Sequence, residues 1–132
     1  MRRSVFGTTV LAILLLTQMA ASGKKPQKAD PSSTLARAPG VVKSRQNPYA
    51  GQVGPTMAGK KLYQRHCAAC HGQEGRGGDQ APGLRSPVVQ EAAPGILFWY
   101  LRNGNLRAGM PSWSHLPDQQ LWQLVTYLQT RR

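Results

Sequence analysis

Cys67-Ala68-Ala69-Cys70-His71 decides how this chain is read. The pentapeptide is Cys-x-x-Cys-His, the attachment pattern of a c-type haem. Two thiols three residues apart sit about one helical turn apart, so both reach the vinyl groups on one edge of a porphyrin. The next side chain, His71, then falls under the iron as an axial ligand. A bare Cys-x-x-Cys also occurs in redox dithiols and in half of a zinc site. Cys67 and Cys70 are the only cysteines, so a four-cysteine zinc site cannot be built. A thioredoxin-like motif needs alternating strands and helices, and the flanking sequence does not read that way. The histidine directly after Cys70 favours haem.

Outward from this motif the chain divides into three parts. Arg2 and Arg3, the apolar run Val10–Leu16 and the small residues Ala20-Ala21-Ser22-Gly23 form a targeting segment over residues 1–23. The favoured reading is a cleaved export signal. The alternative is an uncleaved membrane anchor through residues 4–23, which hold 20 uncharged positions, just long enough to span. Lys24, Lys25 and Lys28 support the anchor, because positive charge directly after a cleavage site is unusual. Thr8, Thr9, Thr17 and Gln18 weaken it. Arg2-Arg3 matches a twin-arginine signal only weakly.

Residues 24–55 are rich in Pro, Gly, Ser, Lys and Arg, with few large apolar side chains. They read as a flexible linker of 32 residues. As a coil it would span roughly 30 Å. Within it, Asn47-Pro48-Tyr49 is a candidate for packing on the domain edge.

Residues 56–132 are expected to fold as one all-α domain. A helix from Pro55 or Thr56 to His66 carries Ala58, Leu62 and Tyr63 on its apolar face. Gly59, inside that helix, costs about 1 kcal/mol against Ala, and such a glycine marks the close approach of another element. The run Gly72 to Gly78 is a flexible loop at the cofactor edge. Without a preceding strand or a following Gly-Lys-Ser/Thr it is not a phosphate loop. Ser86 or Pro87 starts a short helix to Ala93. Pro94 opens a helix to Arg102, closed by Asn103-Gly104. Leu121, Leu124, Val125 and Leu128 fall at i, i+3, i+4 and i+7 in a last helix spanning Pro117–Thr130. The first and last helices are expected to cross at Gly59, with Leu124 or Tyr127 filling the notch. Three main helices and a short one result. Seventy-seven residues give a lean core, so covalent haem is expected to supply much of its apolar surface and the apo domain to be largely unfolded.

Charge is lopsided: 17 Lys+Arg against 5 Asp+Glu, a net +12. No basic helix interleaved with aromatics supports nucleic-acid binding. The balance suits docking to redox protein partners with acidic faces.

Four side chains compete for the second axial position. Met110 lies 39 residues after His71 in Arg107-Ala-Gly-Met-Pro-Ser-Trp113, a loop stiffened by Gly109 and Pro111. A stiff turn holds a thioether at a fixed depth, and Met/His is a known ligand class. His115 is the main competitor. Met57 is expected to pack, and His66 adjoins Cys67 and cannot reach the opposite haem face.

These residues together resemble the class I c-type cytochromes, close to the small monohaem domains related to the third subunit of cbb3-type oxidases. The resemblance covers about residues 56–132. It runs through Ala58-Gly-Lys-Lys-Leu-Tyr63, Cys67-Ala-Ala-Cys-His71-Gly72, Ala81-Pro-Gly-Leu84, Gly109-Met-Pro-Ser-Trp113 and Leu121-Trp-Gln-Leu-Val-Thr-Tyr-Leu128. It implies one haem c bound through Cys67 and Cys70, with His71 proximal and Met110 distal. The Pro82 carbonyl would accept a hydrogen bond from His71, Leu84 would press on the haem, and Trp113 would line the pocket near Met110. Trp99 and Trp122 would be structural. Pro117 stands where such domains often carry a Ser or Thr cap.

The expected function is one-electron transfer in the bacterial periplasm, not catalysis, by a soluble protein or one anchored to the outer face of the inner membrane. The alternatives are a fixed subunit of a membrane dehydrogenase or terminal oxidase, which an apolar patch around Trp99 and Tyr100 would favour, and a peroxidase-type haem enzyme, which needs an open iron.

Overall fold

The computed structural model describes residues 30–131. Residues 1–29, with the expected targeting segment and the first part of the expected linker, lie outside them. Among the described residues there are six α-helices: α1 (Pro31–Leu35), α2 (Val53–His66), α3 (Ala68–His71), α4 (Pro87–Gln90), α5 (Pro94–Asn103) and α6 (Asp118–Leu128). Two 3-10 helices, Gly40–Ser44 and Leu106–Ala108, join them. No strand occurs among the described residues; Asn105 and Met110 form an isolated antiparallel bridge. The fold class is all-α, as the sequence predicts.

The core is the α2–α6 crossing with α5 laid against α6. Leu121, Leu124 and Val125 are fully enclosed, together with Tyr63 of α2 and Phe98 of α5. The i, i+3, i+4, i+7 face of α6 is thus the buried one. The notch at Gly59 exists, and of the two expected fillers it is Tyr127, together with the Gln123 backbone, that meets it. An ideal Cβ on Gly59 would lie 2.0 Å from the Gln123 carbonyl oxygen and 2.9 Å from Tyr127 Cβ. The Gln123 backbone and Tyr127 occupy the space, and Leu124 points into the core instead. Tyr63 and Tyr127 meet at the crossing, ring centroids 5.3 Å apart.

Helix boundaries shift by a few residues at most. The first main helix begins at Val53, before the expected Pro55 or Thr56, because the Gln52 carbonyl already accepts from the Thr56 amide at 3.1 Å. Pro117 caps α6 without a side-chain hydrogen bond, as expected from its lack of a hydroxyl.

Residues 30–52 correct the linker expectation. They form a strap across α5 and α6. Buried Asn47 donates through Nδ2 to Thr126 Oγ1 at 2.9 Å, and its Oδ1 accepts from the Tyr49 amide at 2.9 Å. The Arg45 guanidinium stacks 4.3 Å above the Phe98 ring and also pairs with Asp118. Gly95 lets the strap lie on the α5 backbone: a Cβ there would sit 1.9 Å from the Val42 carbonyl oxygen. A segment poor in large apolar residues is therefore held by the Asn47 amide, the Arg45 guanidinium and the Gly95 approach, with Leu35 and Tyr49 packed against the core. Residues 30–52 are part of the folded unit rather than a loose connection to it.

Candidate functional site

The site is built on the α2–α3 junction. Cys67 ends α2, its amide bonded to the Tyr63 carbonyl at 2.8 Å. Its own carbonyl accepts from the amides of Cys70 at 3.2 Å and His71 at 2.9 Å. That one turn fixes both cysteines and the histidine relative to one another. Cys67 is buried, Cys70 is exposed, and both thiols are unbridged. Burial, aided by the neighbouring Cys70, pushes the Cys67 thiol up to about 12. A redox dithiol needs a lowered pKa at its attacking cysteine, so the environment argues against that role. Among the described residues, no three or more His, Cys, Asp or Glu side chains gather into a metal cage.

His71 is buried, and its Nδ1 lies 2.8 Å from the Pro82 carbonyl oxygen. The carbonyl can only accept, so Nδ1 carries the proton and the lone pair is left on Nε2. Burial holds the imidazole below its usual pKa, with the Pro82 hydrogen bond acting the other way. A neutral, oriented imidazole with Nε2 as its ligating atom is the form that binds iron or another metal.

A compact loop brings Pro82 to His71. The Gly77 amide bonds the His71 carbonyl at 2.9 Å, Gly78 bonds Ala81 at 3.0 Å and Leu84 bonds Gly75 at 2.8 Å. Gly77 has φ +77°, and a Cβ there would lie 2.4 Å from the Gly83 nitrogen and 2.6 Å from the Pro82 carbonyl carbon. Only glycine permits this approach. The Gly72–Gly78 run is thus a hydrogen-bonded clamp on the proximal side rather than a loose edge loop. Tyr63 adds to it from α2, its hydroxyl donating to the Gly72 carbonyl at 2.6 Å. The helical pattern marks Tyr63 only as a core residue; this second contact spans nine residues and leaves no periodic trace.

Met110 stands on the opposite arm. Its amide and carbonyl bond those of Asn105 at 3.0 and 2.9 Å. Gly109, at φ +82°, turns the chain into it, and Gly104 packs against Pro111. The loop is tied back to α5 by the Trp113 amide to the Leu101 carbonyl at 3.0 Å and by Ser112 Oγ to the Arg102 carbonyl at 2.6 Å. Met110 is half-buried. It packs, with Leu84 and Trp113, against the same core cluster that contains Cys67. Cys67, Leu84, Met110 and Trp113 therefore border one core. His115 is exposed on the outer side of Trp113, the rings 5.6 Å apart, while His66 meets Trp113 at 4.9 Å. Met57 is exposed rather than packed.

The donor set fits haem c. Two thiols one turn apart supply thioether anchors, His71 offers Nε2, and Met110 offers a thioether from a fixed loop. The cysteine spacing and the following histidine match a porphyrin edge rather than a bare ion.

Comparisons with known proteins agree. The family profile described as cytochrome C oxidase, cbb3-type, subunit III matches residues 54–128. The chain is 33% identical over 91 residues to cytochrome c550 of Pseudomonas aeruginosa, covering 64% of this chain. It spans 61% of that relative's length. In fold it is similar to cytochrome cL of Methylophaga aminisulfidivorans, with a TM-score of 0.58 at 20% identity over 83% of this chain and 71% of that one. With the match spanning the Cys67–His71 turn, the Gly72–Leu84 clamp, the Met110 loop and α6, the chain belongs to the cbb3-type oxidase subunit III family of c-type cytochromes.

Proposed function

We propose that this protein is a periplasmic one-electron carrier, with one haem c held through Cys67 and Cys70 and axial ligands His71 and Met110. When bound, the haem supplies the Fe(II)/Fe(III) couple that accepts and releases a single electron. The chain's own residues set the terms. The Pro82 carbonyl fixes the tautomer of His71 and the plane of its ring. The Gly77–Gly83 contact keeps that carbonyl in place. The Asn105 bridge and the Gly109 turn hold the Met110 thioether at one depth. Loop and clamp are tied separately to α5 and α2, so neither ligand arm has to move for the other to stay. Small rearrangement on electron transfer is what a carrier needs.

The observation that carries this reading is the 2.8 Å contact between His71 Nδ1 and the Pro82 carbonyl. It places the proton on Nδ1 and leaves the Nε2 lone pair as the ligating atom. Met110 is preferred to His115 because its loop is pinned at both ends and faces the core, whereas His115 is exposed. Thioether ligation favours reduced iron and a high potential.

The test is optical spectroscopy of the ferric holoprotein, made with haem-attachment machinery. The expected spectrum contains the thioether-to-iron charge-transfer band. Met110→Ala abolishes it and His115→Ala leaves it intact. Loss of the band in His115→Ala alone, or its absence from the unsubstituted protein, would overturn the ligand assignment. Recovery of the mature chain from the periplasmic fraction tests its location. Among the described residues no helix is long and apolar enough to cross a membrane; residues 4–23 lie outside them.

A further inference from the structure

We propose that the groove between α1, the C-terminal end of α5 and the Leu106–Ala108 turn is the docking face for an acidic redox protein. The partner's contact surface would set carboxylates around one apolar side chain. This inference rests on the electron-carrier reading above.

The groove has a volume of about 200 Å³, and its walls include Arg37, Trp99, Tyr100, Asn105, Leu106 and Arg107. Trp99 and Tyr100 are half-buried, so they form a firm floor. Leu106 is 76% exposed, one of the most exposed large apolar side chains among the described residues. A leucine held out on a tied 3-10 turn gains nothing within the fold and provides an apolar contact point.

The charge around it is unbalanced. No carboxylate lines the groove. The ion pairs of the described residues use Arg45 and Arg102 with Asp118, and Arg131 with Glu74. Asp30 is engaged by the amides of Ser32 and Ser33. Arg37 and Arg107 form no ion pair among the described residues, and they flank the aromatic floor. Two free guanidinium groups beside an exposed leucine ask for carboxylates beside an apolar group.

Charge also decides between occupants. A second copy of this chain carries +12 and would be repelled. The chain's own N-terminal segment brings Lys24, Lys25 and Lys28, with the wrong sign. A negatively charged partner remains. Small contacts with two steering charges suit the weak, fast encounters of redox proteins.

Position adds the functional link. Asn105, on the groove wall, exchanges both backbone hydrogen bonds with Met110, at 2.9 and 3.0 Å. A partner seated here therefore lies one backbone bridge from the assigned distal ligand. Arg37 belongs to the strap, outside the matched family segment 54–128.

The experiment is an NMR titration of ¹⁵N-labelled ferrous holoprotein with a synthetic glutamate-rich peptide carrying one central leucine. The expected shifts centre on Arg37, the Trp99 indole, Leu106 and Arg107. Arg37→Glu with Arg107→Glu weakens binding about tenfold at low salt, as expected for two reversed contact charges. The control Lys60→Glu with Lys61→Glu changes net charge equally on the exposed side of α2 and weakens it by less than about threefold. Leu106→Ser weakens binding without changing its salt dependence. Shifts centred elsewhere, or equal losses in the two double variants, overturn the proposal. So does a short DNA duplex that shifts the same residues at lower concentration than the peptide. Failure of the electron-carrier reading is seen separately, in the optical spectrum of the same sample.

Discussion

Gly59→Ala sets two effects against each other at the α2–α6 crossing. On helix propensity alone the substitution should stabilise, by about 1 kcal/mol. Packing says the reverse. The new Cβ would stand 2.0 Å from the Gln123 carbonyl oxygen, 2.7 Å from its carbon and 2.9 Å from Tyr127 Cβ. Two of these three atoms are backbone in the middle of α6, so no side-chain rotation relieves the clash. The helices must separate by more than 1 Å to reach ordinary contact. That loosens Tyr63 on Tyr127 and the enclosed Leu121, Leu124 and Val125. Overpacking costs about 1–3 kcal/mol and at times more; with a backbone obstacle the upper end applies, and packing wins. The expected net loss is about 2 kcal/mol, or roughly 8–16 °C in Tm for a domain of this size. Gly54→Ala is the control: it lies in the first turn of the same helix with nothing within 4 Å of its Cβ, so it should be neutral or slightly stabilising. The assay is guanidinium unfolding of the ferric holoproteins, followed by far-ultraviolet circular dichroism and Soret absorption. If Gly59→Ala is as stable as the parent, the crossing is not as close as described and the reasoning fails.

Three further outcomes follow from the same contacts. Asn47→Ala removes a buried amide that serves Thr126 and the Tyr49 amide; it should cost about 1–3 kcal/mol and raise hydrogen exchange over residues 40–52 while the optical spectrum is unchanged. Burial pushes the Tyr63 phenol up to about 12. The unfolded phenol ionises near 10, so stability should be full below pH 10 and fall towards pH 12 by up to about 1.4 kcal/mol per pH unit; denaturant midpoints across that range should show a shallower fall in Tyr63→Phe. Cys67→Ser with Cys70→Ser removes covalent attachment and should leave the purified chain without a cooperative melt near the holoprotein temperature, as read by differential scanning calorimetry.

Much of this architecture is legible in the chain because periodic burial leaves a periodic trace. Leu121, Leu124, Val125 and Leu128 mark one face of α6, and all four are buried. Gly59 announces a close crossing because a helix interior tolerates glycine only where space demands it. The attachment turn is readable because porphyrin geometry dictates its spacing. The strap is not readable in this way. It is held by Asn47, by Arg45 over Phe98 and by Gly95 under Val42, three single contacts at irregular intervals in a segment whose composition is that of a linker. The Gly77–Gly83 clamp falls between these cases: its glycines stand out, but the contact they permit is between two parts of a loop and has no period. Pro82 enters the sequence reading only through resemblance, since a backbone carbonyl has no residue-type signature.

The strap changes what the N-terminal segment can do. A flexible 24–55 linker would let the domain roam roughly 30 Å from residue 23, and a partner anywhere on that sphere would be sampled. With residues 30–52 packed on α5 and α6, six residues of sequence, 24–29, lie between residue 23 and the start of that strap. Six residues reach at most about 21 Å, fully extended. Their attachment point is also fixed, at the start of α1, whose Thr34 lines the groove beside Leu106 together with Arg37 just past the helix end. Were residues 4–23 retained as an anchor, the groove would be held close to the membrane surface and its orientations restricted, so a membrane-bound acidic partner would meet it at raised effective concentration. Were they cleaved, the same strap would still contribute Arg37 to the face, and the groove would work in a free carrier. Either way the strap is part of the recognition surface and not only a connection to it, which is why loosening it through Asn47 is expected to weaken partner binding while both iron ligands stay in place.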